Sequence, residues 1–319
     1  MSQLRNILLL VLPFANACVP PVKLTPPPAA APAAEVALSG ASVMIGAGDI
    51  AGCSSGLDRF TANVMDSVLK ADSVAKVNDA AFTLGDNAYM EGTEVQFNTC
   101  FGQTWGSPTR RIMARIHPSP GNHEYYSVGA NPYYKYFGAS AGPAGKGYYS
   151  YDLGEWHVVV LNSEMVVNTG FSIGDRKAQE DWLRADLKAK PKLCTLAYWH
   201  HPRFSSGWHG SDVSLEPLWQ ILFDNNVDLI MNGHDHDYER FKPQTPQGVV
   251  DTARGIPEIV AGTGGEELRG FGGKVIRNSV YQIEGRAGVL KLTLGKAEYR
   301  AAFIESNGRV WDPSGGKCH

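Results

Sequence analysis

Four stretches of the chain share one pattern: a mostly apolar run stopped by a polar residue whose side chain can bind a cation. ASVMIGAGD ends on Asp49, AAFTLGD on Asp86, TLAYWH on His200 and VDLIMNGH on His234. Runs of this kind read as strands buried on both faces, not as the alternating strands of a half-wet sheet. Between them lie helical periodicities. DRFTANVMDSVLKA sets Phe60, Val64 and Val68, with Met65 and Leu69, on one face behind Asp58 as cap. DRKAQEDWLRADLKAK reads as an amphipathic helix opened by Asp175, and SLEPLWQILFDNN as another helix. Long Gly/Pro/Tyr-rich loops follow Asp86 as far as Lys146, and GYYSYDLGEWHVVVLNS reads as a hairpin. The last third alternates short strands, PEIVAGTGG, VYQIE, GVLKLTLG and AEYRAAFIE, with Asn307-Gly308 as a hairpin turn. No repeat is visible. The pattern predicts one large α/β domain over residues 41–319. In open α/β sheets ligands sit beyond the carboxyl ends of the strands, so the four polar tips are expected to converge.

Composition adjusts this picture at the ends. The chain has 319 residues, 43% of them hydrophobic, which is enough for a sizeable core, and a formal net charge of −3 gives no basic excess for nucleic acid. MSQLRNILLLVLPFANAC reads as a secretory signal over residues 1–17, too short and Pro-broken to span a membrane. Two readings stand at its end: ordinary cleavage after Ala15-Asn16-Ala17, or a lipobox-like site with Cys18 lipidated and the protein anchored to a membrane. Residues 18–40 are Pro/Ala-rich and read as a semi-rigid spacer. The expected location is therefore outside the cytoplasm, in the periplasm or on the cell surface. An exported chain can keep disulfides. Setting Cys18 aside, four cysteines allow three pairings. Cys53–Cys100 with Cys194–Cys318 is the pairing expected first, against a buried free thiol at Cys194.

The chemistry concentrates in five segments: AGDIAG with Asp49, LGDNAY with Asp86 and Tyr89, PGNHE with Asn122 and His123, YWHHP with His200 and His201, and NGHDHDYER with His234 and His236. His-x-His in an extended segment would aim both rings the same way and Asp235 and Asp237 the other. In order and spacing these segments resemble the five motifs of the calcineurin-like metallophosphoesterases, and within them the purple acid phosphatase branch. Asp-Ile-Ala stands where most relatives have Asp-x-His, and Tyr89, three residues after Asp86, makes up for the missing histidine. No N-terminal β-sandwich domain like that of the large plant enzymes is expected, and the chain looks like a compact bacterial secreted form.

The resemblance implies a four-layer αββα sandwich of two mixed sheets flanked by helices. It implies a binuclear metal site, with Asp49, Asp86, Tyr89 and His236 on the first ion and Asp86, Asn122, His200 and His234 on the second. Iron(III) would take the first position, where the phenolate favours a trivalent ion, and zinc, iron or manganese the second. Three negative ligand charges against five positive would leave +2 to acidify a bound water and attract phosphate. The implied reaction is hydrolysis of a phosphorylated small molecule, a monoester, by a metal-bound hydroxide. His123 and His209 would bind phosphate and protonate the leaving group. His201 would line the pocket or support a ligand. No obligate protein partner is indicated. The alternatives are a phosphodiesterase acting on cyclic nucleotides or phospholipid head groups, and a non-catalytic metal-binding surface lipoprotein. The last is disfavoured because every ligand position is filled. The remaining features read as structural: His117 and His157 as packing residues, His319 as inert, Arg110 and Arg111 as a solvated pair, Glu239 and Arg240 as a supporting ion pair, and YYKYFG as loop packing in preference to a lid.

Overall fold

A computed structural model describes residue 38 and residues 40–319. The expected signal peptide, nearly all of the expected spacer and Cys18 lie outside the described residues. Among the described residues, thirteen strands form two mixed sheets. The first contains β1 (Ser42–Ala47), β2 (Asn78–Leu84), β3 (Ile116–Ser119), β11 (Gly288–Leu294), β12 (Glu298–Glu305) and β13 (Val310–Lys317), in the order β13-β12-β11-β1-β2-β3. The second contains β4 (Tyr149–Leu153), β5 (Trp156–Val160), β6 (Cys194–Tyr198), β7 (Leu229–Asn232), β8 (Tyr238–Phe241), β9 (Glu258–Ala261) and β10 (Ser279–Ile283), in the order β10-β8-β9-β7-β6-β5-β4.

The apolar runs are explained by what covers each face. Met44 of β1 and Val158 and Val160 of β5 point into the core between the sheets, together with Phe82, Leu196, Met231 and Leu292. Their neighbours Ile45 and Ala81 turn outward against Met65 and Leu69 of the helix Asp58–Ala75. On the far side Val159, Ala197 and Ile230 turn toward Leu183 of the helix Ile173–Ala189 and Leu218 and Leu222 of the helix Glu216–Asp224. The result is the expected four layers, helix, sheet, sheet, helix. β1 and β2 are parallel, as are β5, β6 and β7, so their carboxyl ends finish on one edge of the sandwich.

Some local expectations shift. Phe60 is 52% exposed, and the buried face of its helix runs through Thr61, Ala62, Met65 and Leu69 instead. Asp58 is not the cap: it is the first helical residue, and its carboxylate accepts the Thr104 hydroxyl at 2.7 Å. The helix expected to open at Asp175 begins at Ile173, with Ser172 and Asp175 forming a reciprocal capping box. Glu239 and Arg240 do not pair with each other. As neighbours on β8 they face opposite sides, and Arg240 forks onto Asp312 at 2.6 and 2.7 Å. The YYKYFG tyrosines pack as a cluster, with Tyr133 and Phe137 buried and Tyr136 stacked 5.1 Å from Phe97. Both disulfides form as expected first, Cys53–Cys100 and Cys194–Cys318, with Cα–Cα distances of 5.0 and 5.3 Å. The first ties the loop after Asp49 to the segment after Tyr89, and the second holds the C-terminus to the start of β6.

His117 stacks on Tyr151 at 3.7 Å, a packing role, and burial pushes its pKa down to about 4. His157 is more than packing. Its two ring nitrogens each lie 2.8 Å from a carboxylate, Nδ1 from Asp152 and Nε2 from Asp186. Burial opposes its charge, but Asp186 and Asp152 outweigh burial and raise its pKa. A raised folded pKa stabilises fully below the unfolded value of about 6.5 and the contribution fades as pH climbs through the folded value. His157→Gln should therefore cost about 1.5–3 kcal/mol near pH 5.5 and clearly less near pH 9. Denaturant unfolding at the two pH values checks this, and an equal loss at both would mean a neutral histidine.

Candidate metal and phosphate site

Each of the four strand tips leads into a tight turn that aims its side chain back over the sheet edge. Asp49, Asp86 and His234 all adopt positive φ, at 59°, 50° and 71°. Left-handed backbone costs a non-glycine residue about 1–3 kcal/mol and is kept where geometry matters more than local comfort. Gly85 precedes Asp86 at φ 84°, and a Cβ there would stand 2.4 Å from Nδ1 of His200. Only glycine lets that ring lie against the turn. The segment 233–237 is not extended, so the period-two premise for His-x-His fails. A left-handed turn at His234 separates the two rings and sends each to a different neighbour set.

Those sets are two groups of four donor atoms that share one oxygen. Tyr89 Oη lies 2.8 Å from Asp49 Oδ1, 3.1 Å from Asp86 Oδ2 and 3.3 Å from His236 Nε2. His200 Nε2 lies 3.2 Å from the same Asp86 Oδ2, 3.0 Å from Asn122 Oδ1 and 3.2 Å from His234 Nδ1. All seven residues expected at the metal positions are therefore brought together, and Asp86 stands between the two groups. Asp49, Asp86 and His200 are at most 1% exposed.

The donor chemistry fits two cations better than hydrogen bonds alone. The single Tyr89 hydroxyl hydrogen cannot serve both carboxylates, and one His200 N–H cannot serve three acceptors. Metal–ligand bonds of about 2.0–2.1 Å would separate adjacent ligand atoms by about 2.8–3.4 Å, which spans the separations seen here. Burial and the Asp49 and Asp86 charges push the Tyr89 phenol up, so only a cation among these oxygens would favour its phenolate. Burial, followed by the neighbouring imidazoles of His201 and His200, keeps His234 neutral, leaving a lone pair to offer. For Asp86 burial acts upward, but His200 and His123 reverse it and hold the carboxyl below the usual range. His200 donates from Nδ1 to the Leu84 carbonyl at 2.7 Å, which fixes its tautomer and presents Nε2 to the cluster. The His236 Nδ1 does the same with the Glu267 carbonyl.

The other predicted residues surround this centre. The His123 ring lies 4.3 Å from that of Tyr89, with Nε2 3.8 Å from Asp86 Oδ2. The His209 ring stacks on His234 at 4.1 Å and its side chain is 35% exposed, at the mouth. His201 is buried. Its Nδ1 takes the Ser163 hydroxyl at 2.8 Å and its Nε2 faces Glu164 at 3.6 Å, 4.3 Å ring to ring from His234. His319 lies far from these residues in the chain, with its backbone N–H on Asp228 at 2.7 Å.

Three functional supports escaped the sequence reading. Asp235 does turn away from the centre, as expected, but it does so to hold His209. It accepts the His209 backbone N–H at 2.8 Å and faces Nδ1 at 3.1 Å. Glu124, in PGNHE beside His123, collects the backbone N–H groups of Gly121, Asn87 and Asp86 at 2.7, 2.8 and 3.0 Å and so shapes the turn that carries Asp86. Arg269 reaches His209 from a Gly-rich loop with no motif to mark it. The acid between the two histidines was a readable signal; Arg269 left none.

Two facing mixed sheets with a paired donor cluster at their carboxyl edge define a metallophosphoesterase domain. The comparisons with known proteins agree. The calcineurin-like phosphoesterase profile matches residues 45–238, and the chain belongs to that family. Its sequence relatives include purple acid phosphatases. Acid phosphatase type 7 of Mus musculus is 27% identical over 232 residues, covering 63% of this chain and 51% of that protein. An uncharacterized protein of Mycobacterium tuberculosis is 28% identical over 187 residues, covering 46% of this chain and 35% of its own length. The chain thus spans between a third and a half of the length of these relatives. Among solved structures, purple acid phosphatase PPD1 from yellow lupin seeds aligns with a TM-score of 0.69 at 18% identity, covering 87% of this chain and 54% of that one. GAP50, the anchor in the inner membrane complex of Plasmodium, aligns at 0.70 and 13% identity over 88% of this chain and 89% of that one. At these identities the structural matches speak for the fold.

Proposed function

We propose that the chain is a binuclear metal-dependent phosphatase acting on monoesters of small molecules. The observation that carries this reading is the pair of four-donor groups meeting at one Asp86 oxygen. Asp49, Tyr89 and His236 would hold the first ion, Asn122, His200 and His234 the second, and Asp86 both. Iron(III) suits the first set because it includes a phenol and two carboxylates, and a divalent zinc, iron or manganese suits the imidazole-rich second set. Such a pair supplies Lewis-acid polarisation of the phosphoryl group and an activated water.

The protein's own groups complete the site. The Asp86 turn, held by Glu124, fixes the distance between the two donor sets. His123, on the Tyr89 side, is placed to donate to a phosphoryl oxygen. His209 is oriented by Asp235, which keeps Nδ1–H engaged and leaves Nε2 at the mouth, where a leaving oxygen would depart. Asp235 also offsets the positive charge when Nε2 holds a proton. His201, neutral through burial and the nearby His200, keeps its tautomer through Ser163 and closes the wall beside His234.

The test is a screen of phosphate monoesters against diesters on metal-analysed protein, with a visible spectrum of the iron-containing form. Monoester turnover should dominate. A phenolate–iron(III) band should colour the protein and vanish in Tyr89→Phe with iron retained. Preferential diester turnover would move the assignment to a phosphodiesterase. No turnover of either on fully loaded protein would leave a metal-binding surface protein.

A further inference from the structure

The loop between β9 and β10 crosses the mouth of the site and is tied to it by backbone. Glu266 N–H donates to the Asp49 carbonyl at 3.0 Å and Arg269 N–H to the His236 carbonyl at 3.0 Å. This fixes the base of Arg269 beside a metal position. Its guanidinium lies 4.7 Å over the Trp208 ring, and Nη1 is 3.2 Å from His209 Nε2. That contact is its only side-chain hydrogen bond among the described residues. An Arg donates and never accepts, so Nε2 presents its lone pair. A second cation is close: Lys274 Nζ lies 3.3 Å from where a Cβ on Gly210 would stand, next to His209. The acid opposing Arg269 is Glu267, at 4.0 Å and with its side chain 76% exposed, a screened contact worth little. Asp235 forms no ion pair with either cation among the described residues; its oxygens accept from Ser205, His209 and Gly210. Trp208 is 71% exposed, a stiff platform holding a cation at the rim.

A fixed guanidinium with spare N–H donors, beside the group that would protonate the leaving oxygen, is a built receptor for an anion. The fork of an arginine matches carboxylate or phosphate oxygens in bidentate fashion. We propose that Arg269, steadied on Trp208 and flanked by Lys274, binds a second anionic group carried by the leaving group, so that the site prefers phosphate monoesters of acidic alcohols. This deepens the monoesterase reading and rests on it. It also gives the Arg269–His209 contact a purpose. An anion that takes the guanidinium frees Nε2 of His209 to take a proton from water and pass it to the leaving oxygen, so the preference should appear in kcat as well as KM.

The experiment compares matched substrates differing in one anion: 3-phosphoglycerate against glycerol 3-phosphate, and fructose 1,6-bisphosphate against fructose 6-phosphate. The first pair reads a carboxylate and the second a phosphate. Wild-type protein should favour the more anionic member in kcat/KM. Arg269→Gln should shrink that ratio by about 10–100-fold, Arg269→Lys should retain part of it, and Lys274→Gln, on an exposed side chain, should shrink it by less. Calorimetric binding of 3-phosphonopropionate against propylphosphonate gives the same ratio without turnover. Its loss in Arg269→Gln supports the proposal even if no monoester is hydrolysed, which separates its fate from that of the phosphatase reading. Equal losses for both members of each pair, with an unchanged phosphonate ratio, would overturn it and leave Arg269 as a residue that only orients His209.

Discussion

Asp86→Asn is expected to lose bound metal and at least about 10³-fold in turnover, roughly 4 kcal/mol of barrier at about 1.4 kcal/mol per decade. The reason is local. One Asp86 oxygen lies 3.1 Å from Tyr89 Oη and 3.2 Å from His200 Nε2, so it belongs to both donor groups. Its partner oxygen takes the His123 backbone N–H at 2.9 Å, which fixes the carboxylate's rotation. An amide has one oxygen and no charge. If that oxygen stays in the shared position, an NH2 group must face the His123 N–H, donor against donor; if it flips, the shared position receives an NH2 that cannot ligate a cation. Elemental analysis and monoester kinetics on the purified variant check this. Full metal content with near-normal turnover would remove Asp86 from the centre of the site.

His209→Ala should cost about 10²–10⁴ in rate with alkyl phosphates, whose leaving groups need a proton, and less with nitrophenyl phosphate, which needs little. The expectation follows from position: the ring stacks on His234, is held by Asp235 on one nitrogen, and turns the other to the mouth. Asp235→Asn should fall in the same direction with a smaller loss, since it orients His209 without reaching the substrate. Equal losses for both leaving groups would assign His209 to phosphate binding alone.

The layered fold and the donor set were readable because both leave strong marks. A strand covered on both faces must be apolar throughout, and a polar residue at its end then stands out, as Asp49, Asp86 and His200 do. The seven donors assemble because parallel neighbouring strands finish on one edge, a consequence of topology more than of spacing. What was misread depends on local backbone or on distant partners. His234 and His236 do reach different neighbour sets, as the resemblance implied, but through a left-handed His234 and not through the alternation of an extended chain. Phe60 fits a helical stripe yet faces solvent, since the sheet reaches only as far as Met65 and Leu69. His157 appears isolated in sequence, and its partner Asp186 arrives from a helix across the sheet. Arg269 comes from a Gly-rich loop whose path is set by hydrogen bonds to Asp49 and His236, contacts with no sequence signature.

The measurement that bears most directly on the binuclear reading is a metal titration of stripped protein followed by monoester turnover and bound-metal analysis at each step. Turnover should develop as two ions bind per chain, with a flat response in Asp86→Asn over the same range. Full turnover with no bound metal, or with a single ion per chain, would contradict the binuclear reading.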